Sequence, residues 1–399
     1  MNIRRAIPDD IDSIAHLYST CFTDPHKTIS KWREELTPNA RRKIENIFVA
    51  EIGASIVGAL TLLDHTVGIG GRIMKSGGIG GVAVAPEYRR QGIARTLMSA
   101  AFAAMRKTQT SLSMLYPFNH SYYQSLGYGL VGEVRIYSVT PAALPASPES
   151  KNVRRFRSSD LPALVQCYNE YALRNTLMIM RGEHIWRYEI SRRSKSGEQI
   201  FCYEEHGALT GYLVFNAAVD IEMKEFVAAS RSALRALLGF LHDQSKEVRS
   251  IRIPAAASDA LQFLLTNPTD ASKQSLFGLF PLGAKIGYGY MMRVIDVQSA
   301  LVQRKFLPSH SEISFRIADG QIAENNKVFT IALDGDTHTV STKPAATIID
   351  IPVSTFAQLY CGYLSFTTAQ QLGILAPQPD LSFLDCVFAV PPPHCLDFF

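Results

Sequence analysis

Paired cysteines, excess charge and long apolar runs are all scarce in this chain of 399 residues. Its six cysteines (Cys21, Cys167, Cys202, Cys361, Cys386 and Cys395) form no C-x-x-C pair and no zinc-type spacing with histidine. They read as reduced thiols of a cytoplasmic protein, with no metal expected. Forty Lys and Arg against 36 Asp and Glu leave a formal charge of +4, too small and too dispersed for a nucleic-acid partner. No apolar run approaches the ~20 residues that cross a bilayer, so no membrane partner is expected. The opening MNIRRAIPDDID has no apolar signal core behind its arginines. A dinucleotide fingerprint is also missing: Gly78-x-Gly80-Gly81 precedes a strand, whereas Rossmann glycines follow one.

What is present centres on GVAVAPEYRRQGIAR, Gly81 to Arg95. Val82, Ala83 and Val84 read as a short buried strand, and Pro86 stops it. A basic turn, Arg89-Arg90-Gln91-Gly92, then leads into a helix with Ile93, Leu97, Ala101 and Met105 at helical spacing. The first N–H groups of such a helix have no internal partner, and with the helix dipole they attract a phosphate. Gly92 lets a ligand approach the backbone, and the two arginines add formal charge.

Arg89-x-x-Gly92-x-Ala94 after Val-Ala-Val resembles the coenzyme A loop of the GNAT (Gcn5-related) N-acetyltransferases. The resemblance implies acetyl-CoA as donor, bound by Val82, Ala83, Val84, Arg89, Arg90, Gln91, Gly92, Ile93, Ala94 and Arg95, with Phe118 and Asn119 also touching it. An N–H of the splayed strand would polarise the thioester carbonyl. Ser121 to Tyr128 resembles the aromatic-Tyr-x-x-x-Gly-aromatic motif of the family and makes Tyr123 the expected acid for the departing thiolate. His120 is a secondary candidate for the base.

At a chain length that suggests two or three domains, the opening recurs: NIRRAIPDDIDSIAHLY is echoed by NVRRFRSSDLPALVQCY at an offset of 150, and LGYG (Leu126 to Gly129) by IGYG (Ile286 to Gly289). EVRIYSV is likewise echoed by MMRVIDV. Two copies of one domain follow, joined by the Pro- and Ser-rich segment Thr140 to Ser150. The second copy has no Arg-x-x-Gly-x-Ala turn and carries Gly283 where Tyr123 would lie. It is therefore expected to be degenerate. Beyond residue 298, short alternating runs suggest a small antiparallel α+β domain, which resembles sterol carrier protein.

The expected architecture is α/β and α+β: a catalytic GNAT domain (1–142), a degenerate GNAT-like domain (151–298) and a sterol carrier protein-like domain (299–399). This order resembles the Eis (enhanced intracellular survival) acetyltransferases. The resemblance implies that the carboxylate of Phe399 enters the active site as base. It also implies that Asp24 and Trp32, in CFTDPHKTISKW, line the acceptor pocket, Asp24 pairing an amine and Trp32 offering a cation–π face. Phe398 departs from the acidic residue of mycobacterial relatives, which weakens the case for cationic acceptors such as aminoglycosides. The expected activity is acetyl-CoA-dependent N-acetylation of a small-molecule amine, aminoglycoside-like or polyamine-like. The alternatives are acetylation of protein or peptide amines and a non-enzymatic lipid or acyl carrier. A homo-oligomer, such as the hexamers of family members, is the expected assembly.

Overall fold

The computed structural model describes residues 1–22, 27–244, 246–378, 380–395 and 397. The chain opens with β1 (Asn2–Arg5), α1 (Ile11–Cys21), α2 (Ile29–Leu36), β2 (Ile47–Ile52), β3 (Ser55–Ile69), β4 (Arg72–Val84), α3 (Ile93–Lys107), β5 (Leu112–Leu115), α4 (His120–Gln124), β6 (Gly129–Leu130) and β7 (Glu133–Val139). The second copy contributes β8 (Val153–Arg155), α5 (Leu161–Arg174), α6 (Glu183–Lys195), β9 (Gln199–Glu205), β10 (Ala208–Phe215), β11 (Asp220–Ala228), α7 (Arg231–His242) and β12 (Ser250–Ala256). A short hairpin of β13 (Ser275–Leu276) and β14 (Phe280–Pro281) precedes β15 (Lys285–Tyr288) and β16 (Met291–Val294).

The chain divides into two compact units, one of 1–131, 290–391 and 397–399 and the other of 132–289 and 392–396. These cut across the three consecutive segments expected from sequence, and the reason is an exchange of strands. In the first unit the sheet runs β1-β2-β3-β4-β5-β16-β6, and in the second it runs β15-β7-β12-β11-β10-β9-β8. The echoing segments EVRIYSV and MMRVIDV have traded places: β7, from the end of the first copy, pairs with β12 and β15, while β16 pairs with β5 and β6.

Helices cover both faces of the first sheet because its strands alternate. Phe48 and Ala50 face Leu97, Ala101 and Met105 of α3, whereas Ile47 and Val49 face Ile14, Leu17 and Trp32 of α1 and α2. The same local clamp starts both copies. Arg4 grips Asp10 through two hydrogen bonds of 2.6 and 3.0 Å, and Arg154 grips Asp160 at 2.7 and 3.1 Å. In each copy the aspartate also accepts an N–H from three residues upstream, Ile7 or Arg157, closing the turn before the helix.

The remainder of the first unit holds α8 (Val297–Gln303), β17 (Ser309–Ala318), β18 (Val328–Gly335), β19 (Thr337–Ser341), β20 (Ile348–Pro352), α9 (Val353–Tyr360), α10 (Phe366–Gln371) and α11 (Ser382–Val387). Its four-stranded sheet, β19-β18-β17-β20, packs Phe315 against Phe356, Phe366 and Phe388. Arg304 is buried beside them, its guanidinium donating to the carbonyls of Lys305, Tyr360 and Phe388 and lying over the rings of Phe306, Tyr360 and Phe388. Burial pulls its pKa down to about 10.

Strand exchange makes the catalytic sheet depend on distant sequence. A chain stopped at residue 142 lacks β16 and leaves β5 and β6 without their shared neighbour, an open edge that invites association. Such a fragment is expected to aggregate or to melt without a cooperative transition in circular dichroism. A sharp melt matching that of the full chain would show that β16 is dispensable.

Candidate active site

The strand and loop expected to bind the donor lie where two parallel strands part. β4 and β5 pair only from Ser76 opposite Leu112 to Ile79 opposite Leu115, so Gly80 to Val84 continue with no partner on that side. On its other side β4 bulges against β3, where the register shifts between Ala59 and Thr61. Gly81 sits there at φ +59°, and a side chain on it would strike the Tyr18 hydroxyl. Past the parting, Val82 and Val84 are half-buried, while Ala83 stays buried and paired with Ala59 of β3.

The loop then turns through Pro86–Tyr88, with Arg90 at φ +63° and Gly92 at φ +82°. Gly92 caps α3 with its backbone, accepting from Thr96 N at 3.0 Å, and among the described residues no side chain accepts from the first N–H groups of Ile93, Ala94 and Arg95. Arg89, Arg90, Gln91, Gly92 and Arg95 are exposed, Ala94 is half-buried, and Ile93 anchors the helix in the core. A Cβ on Gly92 would meet nothing within 4 Å, so the loop is an open cradle of basic residues before an uncapped helix.

The second copy closes the equivalent position. Ser230 caps α7 by accepting from Ala233 N at 3.1 Å, and its hydroxyl donates to Glu205 at 2.8 Å. A carboxylate thus already stands at that helix start, where a phosphate would be repelled.

Tyr123 lies in α4, whose start is capped by Asn119: its side-chain oxygen accepts the Tyr122 N–H at 3.0 Å. Phe118 is largely exposed, stacks on Tyr122 at 5.8 Å and meets Tyr123 edge-on at 5.3 Å. Below them Tyr128 hydrogen-bonds Ser113 at 2.7 Å, and Ser113 donates to the Gly77 carbonyl at 2.9 Å. The Tyr123 hydroxyl has no hydrogen-bond partner among the described residues. Burial, with smaller contributions from Tyr128 and Tyr122, pushes its pKa well above that of an ordinary phenol. It is therefore held protonated, as an acid must be before it acts.

The turn after Tyr123 is fixed by a residue that sequence reading passed over. Arg293 of β16 is fully buried, donates to the Leu126 carbonyl, lies 4.7 Å over the Phe102 ring and makes two hydrogen bonds of 2.7 Å to Asp319. Gly127 passes it at φ +86°, where any side chain would collide with the guanidinium.

Trp32, expected from sequence to line the acceptor pocket, is buried among Tyr18 and Phe22, and Lys27 Nζ already stands 4.2 Å over its ring. The cation–π face assigned to a substrate amine thus carries one of the chain's own ammonium groups. Asp24, Phe398 and Phe399 lie outside the described residues. The tail is visible at Asp397, which is buried and paired with Arg41 at 3.0 Å. His65 shares that neighbourhood; burial foremost, then Arg41 against the opposing pull of Asp397, lowers its pKa to about 4. Nothing in the sequence joins Arg41 to Asp397, since they are 356 residues apart.

Two family models for an acetyltransferase (GNAT) domain match the chain, one over residues 2–131 and the other over 177–294, and a sterol carrier protein domain matches 297–396. The chain is an enzyme of the GNAT acetyltransferase class, with tandem GNAT domains followed by a sterol carrier protein-like domain, and GNAT domains take acetyl-CoA as donor. Among solved structures it is similar to a GCN5-related N-acetyltransferase from Anabaena variabilis (19% identity, TM-score 0.85, 100% of both chains). It is also similar to one from Kribbella flavida (21%, 0.83, 100% of this chain and 98% of that one) and to Eis1 from Mycobacterium abscessus (17%, 0.78, 100% of both). At these identities the likeness carries the fold alone. No curated protein matches the chain.

Gly92→Asp tests the cradle. The new carboxylate faces the position of the donor phosphates, and the open surroundings confine the backbone strain to the loop. Acetyl-CoA affinity by calorimetry is expected to fall about 10-fold or more with little change in melting temperature. Undiminished affinity would separate this loop from the donor.

Proposed function

We propose that the first unit transfers acetyl from acetyl-CoA to an amine of a small molecule, aminoglycoside-like or polyamine-like, in the manner of the Eis enzymes. The observation that carries this reading is a basic, glycine-opened helix start with no side-chain cap in the same unit as a buried phenol, Tyr123, whose hydroxyl has no hydrogen-bond partner among the described residues. Bound at this loop, acetyl-CoA supplies an acetyl group activated as a thioester.

The chain's own residues do the rest. Arg89, Arg90 and the first N–H groups of α3 hold the phosphates. An N–H of the strand Val82 to Val84 on the side turned away from β3 would face the parting of the strands, where a carbonyl oxygen gathering charge is stabilised by a fixed donor. Tyr123 gives its proton to the departing sulfur. The base we assign to the tail beyond Asp397, the carboxylate of Phe399. The Arg41–Asp397 pair supports this by tying the tail into the unit that holds Tyr123. An α-carboxylate of pKa ~3.5 is a weak base for an ammonium, so burial or a relaying water must assist it.

The packed aromatic interior around Arg304 favours an enzyme over a lipid carrier, because a buried guanidinium and five aromatic rings occupy the space an acyl chain would need.

Tyr123→Phe keeps the ring contacts and removes the proton. Turnover in a thiol-release assay with acetyl-CoA and an amine panel is expected to drop ~100-fold or more, with donor affinity unchanged. Near-normal turnover would make Tyr123 a packing residue. Extending the chain beyond Phe399 with an affinity tag is expected to cost ~10- to 1,000-fold in turnover, while the same tag at Met1 is harmless. Equal activity of the two tagged proteins would remove the tail from the mechanism, leaving His120 as the base to examine.

A further inference from the structure

The second unit, which has lost the phosphate cradle, keeps the opening that went with it. β11 and β12 are parallel but pair only from Asp220 opposite Ser250 to Glu222 opposite Arg252, and beyond that they part as β4 and β5 do. A cavity of about 540 Å³ occupies the fork, within the range of small-molecule sites. Its walls are the ends of the two strands, the first turns of α7 and the turn after β12, with Phe226, Leu234, Ile253 and Leu261 as apolar lining.

Three polar side chains enter this apolar space. His394, only 6% exposed, lines the cavity, and its ring has no hydrogen-bond partner among the described residues. Its backbone is fixed within the same unit, where His394 N donates to the Thr176 carbonyl at 2.8 Å beside the Thr176–Pro393 bridge. Asp259 accepts the Leu261 N–H with one carboxylate oxygen at 2.6 Å, and among the described residues no Lys, Arg or His forms an ion pair with it. Tyr171 is close enough to Asp259 for the two to perturb each other.

We propose that this cavity binds a small amphiphilic amine, its ammonium held by Asp259, its N–H shared with His394 or Tyr171, and its apolar body against Phe226, Leu234 and Leu261. Arg135 is near enough to oppose the rise in the Asp259 pKa but forms no ion pair with it among the described residues, so a cationic guest supplies the direct partner that the carboxylate lacks. Burial raises the pKa of Asp259 and lowers that of His394 to about 4, so the imidazole is neutral and free to accept a hydrogen bond. Arg231 also lines the rim but is exposed to solvent, and Glu205 at the same helix start offsets it. An anionic guest therefore gains little there. The site is separate from the proposed catalytic centre and does not depend on that reading.

The probe is N,N-dimethyloctylamine, protonated at neutral pH and unable to be acetylated, titrated into the full chain by calorimetry beside 1-octanol and sodium octanoate. Saturable binding of the amine in preference to both is expected. Asp259→Asn keeps the acceptor for Leu261 N–H but removes the charge, and it is expected to weaken the amine about 10-fold or more. His394→Leu is expected to weaken it about 3- to 10-fold. Both variants should keep the melting temperature and acetyl-CoA affinity of the parent, and either one suffices if the other fails to fold. Octanoate binding at least as tightly as the amine, or amine affinity that survives both substitutions, would overturn the assignment.

Discussion

The buried pair of Arg293 and Asp319 ties the first unit together. Two ions without solvent are costly unless every donor and acceptor is used, and here nearly all of them are. Asp319 takes two hydrogen bonds from Arg293 and one each from Asn325 Nδ2, Gln321 N and Ile322 N. Arg293 gives its other terminal nitrogen to the Leu126 carbonyl and its flat face to Phe102. The pair thus locks together α3, the turn behind Tyr123, β16 and the start of the sterol carrier-like region. Breaking such a pair by removing one partner typically costs about 3–5 kcal/mol, a large share of a domain's stability.

That lock also explains why the two copies diverged unevenly. The Arg–Asp clamps at Arg4 and Arg154 are interchangeable because they involve only neighbours within a copy. The exchanged strands are not interchangeable. β16 must present Arg293 to Asp319, whereas the matching Arg135 of β7 sits in the other sheet, paired across to Ala255 and Ile286. The two helix starts differ as well: α3 opens on Gly92 with no side-chain cap, whereas α7 is capped by Ser230, which donates to Glu205.

The parts of the site that are local in sequence were legible in it. The strand, proline, basic turn, glycine and amphipathic helix from Val82 to Met105 form as their chemistry dictates, as does the Tyr123 turn. The repeat was legible through paired residues at one offset. The strand exchange was not, because EVRIYSV and MMRVIDV carry the same alternation and would suit either sheet; only pairing with strands far off in sequence, Val139 with Ile251 and Val294 with Leu112, decides between them. The Arg41–Asp397 pair escaped notice for the same reason. For Trp32, composition could suggest an aromatic face but not that Lys27 already covers it.

The environment of Tyr123 sets a further constraint on how it can work. Burial makes its phenolate harder to form, which at first sight spoils it as an acid. In the mechanism proposed above, however, the proton acceptor would be a thiolate formed beside the same apolar cluster, and it would suffer a similar loss of solvation. What matters is the difference between phenol and thiol, about 1.5 pKa units in water, or about 2 kcal/mol. If both anions are penalised alike, that difference persists however deep the site lies. Against a chemical barrier it is small, and a short hydrogen bond from Tyr123 to the departing sulfur reduces it further. A charged acid such as an imidazolium would start stronger but would raise the cost of the buried site before reaction. A neutral phenol among Phe118, Tyr122 and Tyr128 avoids that cost, which is why an aromatic cluster can hold an acid in place.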